Sequence, residues 1–95
     1  MRLEIVDAAL AEAQATKVYY AAVRTELGDA FVAELDATIA RVMARPLAWP
    51  SRDGNTRRSL LNRFPYTVVF RVEDELIRVI AVMHQRQRPG YWQGR

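Results

Sequence analysis

A chain of 95 residues and 10.9 kDa, 51% hydrophobic and 26% charged, makes one soluble-type globular domain. Surface scaling leaves about 5,600 Å² exposed of roughly 15,800 Å² in the extended chain, enough burial for one modest core. It has no cysteine and one histidine, which excludes disulfides, thiolate metal sites and cysteine nucleophiles. Charge is uneven. Residues 1–50 carry 5 basic and 7 acidic side chains, net −2, and residues 51–95 carry 9 and 4, net +5. Thirteen of the 14 basic residues are arginine, whose planar fork of donors suits phosphate and carboxylate, so the second half points to an anionic partner.

Leu3 to Val6, with β-branched Ile5 and Val6, predicts a first strand. Asp7 is placed to cap a helix of good formers that runs to about Leu27, with Gly28 as its stop. Asp29 then caps a second helix, whose Phe31, Leu35, Ile39, Val42 and Met43 recur with helical period until Pro46 ends it. The first helix has a less tidy stripe of Leu10, Ala13, Val18, Tyr20, Ala21 and Leu27. So short a connection predicts an antiparallel helical hairpin.

Residues 46–56, rich in proline and turn formers, read as a loop. Three strands are expected after it: Arg57–Asn62, Tyr66–Val72 and Leu76–His84, the last two joined through Glu73-Asp74-Glu75. In the last strand Ile77, Val79, Ala81 and Met83 alternate with Leu76, Arg78, Ile80, Val82 and His84. Both sets are partly apolar, which places this strand in the middle of the sheet. A two-residue turn would set Arg71 opposite Arg78, unfavourable without an anion between them, and a three-residue turn would part them. The expected fold is α+β: an N-terminal strand, a helical hairpin on one sheet face, then a three-stranded antiparallel meander. The other face should lie open and carry arginine. The tail, residues 85–95, reads either as a flexible end or as a lid in which Tyr91 and Trp92 cover the sheet.

Enzyme templates fit poorly. Ser51, Ser59 and His84 form no nucleophile-elbow pattern, the glycines make no phosphate loop, and the acids Glu73, Asp74 and Glu75 crowd one turn. No metal or cofactor is expected. No apolar run approaches the ~18 residues of a membrane span, and the acidic N-terminus does not resemble a signal peptide, so the chain is expected in the cytoplasm and off the membrane. What remains is a cluster of Arg57, Arg58, Arg63, Arg71, Arg78, His84, Arg86, Arg88, Tyr91 and Trp92. Such groups suit a phosphate-bearing or acidic partner, or metal-free RNA cleavage in which the 2′-hydroxyl attacks. The plainer alternative is surface arginines, a histidine capping a strand end and aromatics lying on the core.

The order of Tyr19-Tyr20, Phe31 and Leu35, Pro46, Trp49-Pro50, Phe64-Pro65-Tyr66, Val69-Phe70-Arg71-Val72, Ala81-Val82, then His84, Arg86, Arg88 and Pro89, resembles the RelE/ParE superfamily of type II toxin–antitoxin toxins over nearly the whole chain. The resemblance implies the fold just described and a toxin held inactive by a cognate antitoxin, in a two-to-two complex. RelE-like members cut mRNA in the ribosome; ParE-like members poison DNA gyrase. The nucleases use an arginine right after the aromatic that opens the penultimate strand, where this chain has Thr67. They use another just after the last strand, where Gln85 stands and Arg86 is one residue away. A C-terminal tyrosine is matched by Tyr91, and basic residues of the preceding strand loosely by Arg57, Arg58 or Arg63. The Phe-Pro-Tyr strand start and the His-x-Arg-x-Arg-Pro ending resemble the ParE branch more closely. Expected target contacts are Arg78, Arg86, Arg88, Tyr91 and Trp92. Expected antitoxin contacts are Val18, Val32 and Leu35, in an apolar groove of the hairpin. For the alternative, a ribosome-dependent endoribonuclease acting on mRNA, the candidate catalytic residues are Arg58, Arg71, His84, Arg86 and Tyr91.

Overall fold

The computed structural model describes all 95 residues, the side chain of Asp53 excepted. The elements are β1 (Arg2–Ile5), α1 (Asp7–Val23), α2 (Thr25–Ala44), β2 (Arg57–Leu60), β3 (Tyr66–Glu73) and β4 (Leu76–His84). Two short 3-10 turns, Pro46–Ala48 and Asp53–Asn55, lie in the loop before β2. The sheet order is β1-β4-β3-β2, with β1 parallel to β4 and the other pairs antiparallel. The exposed surface of 5795 Å² matches the ~5,600 Å² expected from mass.

The element order and the inner place of β4 agree with the sequence reading; the helix junction does not. The hairpin turns at Arg24, in extended conformation (φ −165°, ψ 132°), so Gly28 and Asp29 lie inside α2. Gly28 is there for packing. A Cβ at this position would meet the Ala21 Cβ at 2.8 Å and the Lys17 carbonyl oxygen at 3.1 Å, so its hydrogen lets α1 and α2 touch. Val6 occupies the cap position of α1 with no side-chain cap. Asp7 sits in the first turn, where its charge suits the helix dipole.

One sheet face packs on the hairpin. Phe31, Leu35, Ile39 and Val42 of α2 and Ala9 of α1 meet Val68 and Phe70 of β3 and Ile77, Val79 and Val82 of β4. Tyr20, Phe31 and Phe64 close one end, with ring centroids 4.9 to 5.8 Å apart. Glu34 on α2 fixes the loop between β2 and β3. Its carboxylate accepts from the Arg63 backbone N–H at 2.7 Å and from Arg63 Nε at 3.1 Å.

The ladder between β3 and β4 slips between Val69 and Phe70: Val69 faces Ala81, Phe70 faces Val79, and Ile80 is the extra residue of a bulge. The strict alternation expected along β4 therefore fails at Ile80. Ile77, Val79 and Val82 join the helical side, while Ile80, Ala81 and Met83 join the other.

The second face is not open. Residues after β4 fold back so that Trp92, 1% exposed, packs with Val69, Ile80, Ala81 and Met83. Burial of an indole of this size is worth about 2–3 kcal/mol. Of the two tail readings, the lid is the one adopted for Trp92.

Candidate functional site

Strand parity sorts the arginines. Arg57 pairs with Phe70 and its guanidinium donates to the Trp49 carbonyl oxygen; Arg58 pairs with Val69 on the opposite face. On that second face Arg58 lies over Trp92, 5.9 Å from the ring centroid, a cation–π contact. The turn after β3 has two residues, Asp74 and Glu75, and Arg71 stands opposite Arg78. The repulsion is relieved from within. Arg78 ion-pairs with Glu73 at 3.1 Å and Glu4 at 3.4 Å, and Arg71 donates to the main-chain oxygens of Arg95 at 3.0 Å and Gly54 at 3.3 Å. Glu73 and Glu4 thus supply the anion that this juxtaposition requires.

At the far end of β4, His84 pairs with Tyr66, the rings meeting edge-on at 5.1 Å. Its Nδ1 accepts from the Arg86 backbone N–H at 3.0 Å, which assigns the ring proton to Nε2. The turn that follows is tightly tied: the Gln87 N–H donates to the His84 carbonyl, and the His84 N–H to Gln87 Oε1 at 2.8 Å. This turn carries the side chains of Arg86 and Arg88 outward. Both are exposed, and among the described residues neither guanidinium has a partner.

Two expected contact residues are otherwise engaged. Trp92 is part of the core, which withdraws its ring from any partner in this state. The Tyr91 hydroxyl donates to Glu12 Oε2 at 2.7 Å. Burial, then the hydrogen bond and charge of Glu12, push the Tyr91 phenol far above its ordinary range, against a weaker opposing effect of Arg95. A phenol held this way is a poor proton acceptor near neutrality. Thr67, 6% exposed, is a buried residue of the second face.

A cleft of about 270 Å³ opens between the helices and the sheet. Leu10, Ala13 and Lys17 of α1, Val32, Leu35 and Asp36 of α2, and Val79 and Val82 of β4 are among its walls. Val32 and Leu35 thus line an apolar groove, whereas Val18, 68% exposed, points outward from α1 and lies outside it. Among the described residues no group of His, Asp and Glu side chains could hold a metal ion, and no helix is long and apolar enough to cross a membrane.

Sequence reasoning passed over Glu12. It is one of two acids in the alanine-rich α1, and it gathers hydrogen bonds from Val82, Tyr91 and Arg95. An acid flanked by the apolar Leu10 at i−2 and Ala13 at i+1 was the available signal.

A helical hairpin on one face of a four-stranded mixed sheet defines the α+β class of RelE/ParE-like toxins. A solved structure described as the chromosomal ParDE TA system from P. aeruginosa shares this fold with a TM-score of 0.77. It is 20% identical, and the match covers 88% of this chain and 95% of that one. The family model for the ParE toxin of the type II toxin–antitoxin system, parDE, matches residues 3–89, and the chain belongs to that family. No curated protein matches it.

Proposed function

We propose that this ParE-family toxin acts in the cytoplasm by binding and poisoning DNA gyrase, and that a cognate antitoxin neutralises it in a two-to-two complex. The observation that carries the binding reading is where the candidate catalytic groups are spent. Arg71 is held by main-chain oxygens, Arg58 lies over Trp92, and the Tyr91 proton is committed to Glu12. Thr67 stands where the nucleases have an arginine. His84 Nδ1 accepts from the Arg86 backbone N–H. That leaves the guanidiniums of Arg86 and Arg88, unpartnered among the described residues, on a hydrogen-bonded turn, a surface suited to contact. Arg78, half-exposed between two carboxylates, lies at the opposite end of β4, beside the turn from β3.

The antitoxin is read as an amphipathic segment whose apolar side chains enter the cleft at Val32 and Leu35, with exposed Val18 of α1 a separate contact outside it. It should be acidic enough to cover the arginines. Purified protein is expected to inhibit gyrase supercoiling or trap cleaved DNA, and to leave ribosome-bound mRNA intact. Codon-phased mRNA cuts without any effect on gyrase would establish the endoribonuclease reading instead.

A further inference from the structure

The Glu12 carboxylate lies between α1, β4 and the C-terminal segment, and it accepts three hydrogen bonds of long sequence separation. Val82 N–H donates at 3.0 Å, the Tyr91 hydroxyl at 2.7 Å and Arg95 Nη1 at 3.0 Å. The place is determined by the sheet. β1 ends at Ile5, opposite Val79, and β4 runs on beyond it. Three main-chain groups of β4 past that point take side chains as partners: the Ile80 oxygen accepts from Arg95, the Val82 N–H donates to Glu12, and the His84 N–H donates to Gln87.

The segment from Tyr91 to Arg95 is held by few points. Trp92 fills the apolar cluster, Tyr91 and Arg95 meet Glu12, and the Arg95 main-chain oxygen meets Arg71. Gly90 (φ +93°) and Gly94 (φ +90°) provide left-handed bends on either side of Trp92, and a Cβ at Gly94 would touch nothing within 4 Å. The buried Trp92 Nε1 has no hydrogen-bond partner among the described residues, a penalty that release to water would remove. In the closed state the segment also occupies Arg58 and Arg71, two arginines of the second face.

We propose that Tyr91–Arg95 is a strap that opens as a unit while the helices and sheet stay folded, and that Glu12 is its lock. Opening uncovers Val69, Ile80, Ala81 and Met83 and frees Arg58 and Arg71 on the second face. The arginine face thus has a closed and an open form. The opening itself does not depend on which target the toxin has.

The test uses the full chain with Trp49→Phe, so that Trp92 is the single tryptophan and is excited selectively over the four tyrosines. Glu12→Ala is expected to shift its emission to the red and admit acrylamide. Exchange of the Val82 amide and of the strap amides should rise by about tenfold or more, the response to losing charged hydrogen bonds. Amides of α2 and β3 should keep their protection. The double change Tyr91→Phe with Arg95→Ala approaches the lock from the strap side. It should release Trp92 likewise while Glu12 still protects the Val82 amide. Trp92 remaining shielded in both variants would overturn the proposal. So would strap amides that exchange only together with those of α2 and β3, because the strap would then not open on its own.

Discussion

Glu34 is a carboxylate that folding has taken out of water and paid back in hydrogen bonds. Burial alone raises its pKa, but the Arg63 backbone N–H, the Arg63 side chain, the Asn62 backbone and the Arg63 charge together hold it below the ordinary carboxylate range. A group depressed in this way stabilises the fold fully above its unfolded pKa of about 4.5, and the contribution is lost as pH falls through the lower folded value. Glu34→Ala is expected to cost about 2 kcal/mol at pH 7, the scale of hydrogen bonds to a charged group. The difference between the urea midpoints of the two proteins should shrink as pH falls below about 4.5. Tyr91 has the opposite sign. Its raised pKa means stability present below the ordinary phenol value of 10 and lost as pH rises beyond it. Tyr91→Phe should flatten the alkaline limb of the Tm profile. Arg86 and Arg88 have no partner among the described residues, so Arg86→Ala with Arg88→Ala should leave Tm within about 1 °C while abolishing toxicity. Full toxicity in that variant would move the active surface to Arg58, Arg71 and Arg78.

At the scale of elements, the most informative position is the contact of α1 with α2. Alanine in place of Gly28 would gain about 1 kcal/mol of helix propensity in isolation. Here the new methyl would meet Ala21 Cβ at 2.8 Å, so Gly28→Ala is expected to destabilise by about 1–3 kcal/mol, as overpacking does. Adding Ala21→Gly removes the opposing methyl and should recover part of that loss, a coupling that a double-mutant cycle in urea would read. The elements themselves were legible because their causes are local. The stripe of Phe31, Leu35, Ile39 and Val42 gives α2, and the two-sided apolar character of Leu76–His84 gives an inner strand. Gly28 misled because a helix-stopping glycine and a helix-packing glycine look alike until the neighbouring helix is in place. The clamp at Glu12 was illegible for a related reason: its partners lie 70, 79 and 83 residues away in sequence.

Over the whole molecule, the sheet is packed on both faces, by the hairpin on one and by the chain's last residues on the other. The basic second half, net +5, is accordingly less available than its composition suggests. Arg57, Arg58, Arg63, Arg71, Arg78 and Arg95 all have internal contacts, and of the candidate arginines only Arg86 and Arg88 are unengaged among the described residues. This is why charge alone could point to an anionic partner and not to the surface that meets it. Trp92→Ala should cost about 3–5 kcal/mol, the range for emptying a buried aromatic site. It should also raise binding of an apolar dye, since Val69, Ile80, Ala81 and Met83 lose their cover.

The bulge at Ile80 has a consequence for how this chain tolerates changes of length. A deletion inside a strand ordinarily inverts every side chain beyond it, turning the lining inside out. In β4 the frame is already offset by one residue, so removing Ile80 would rejoin Val79 to Ala81 with Val69 and Phe70 in continuous register. Val82 would still face the helices and Met83 the opposite layer. The chain therefore holds one position in an inner strand where shortening restores regularity instead of scrambling the two layers. Loss of Ile80 would remove a buried side chain and the carbonyl that Arg95 grips, loosening the far layer while the hairpin side keeps its pairing. Relatives that differ by one residue at this point could share both layers of the fold and differ in how firmly the last residues are held.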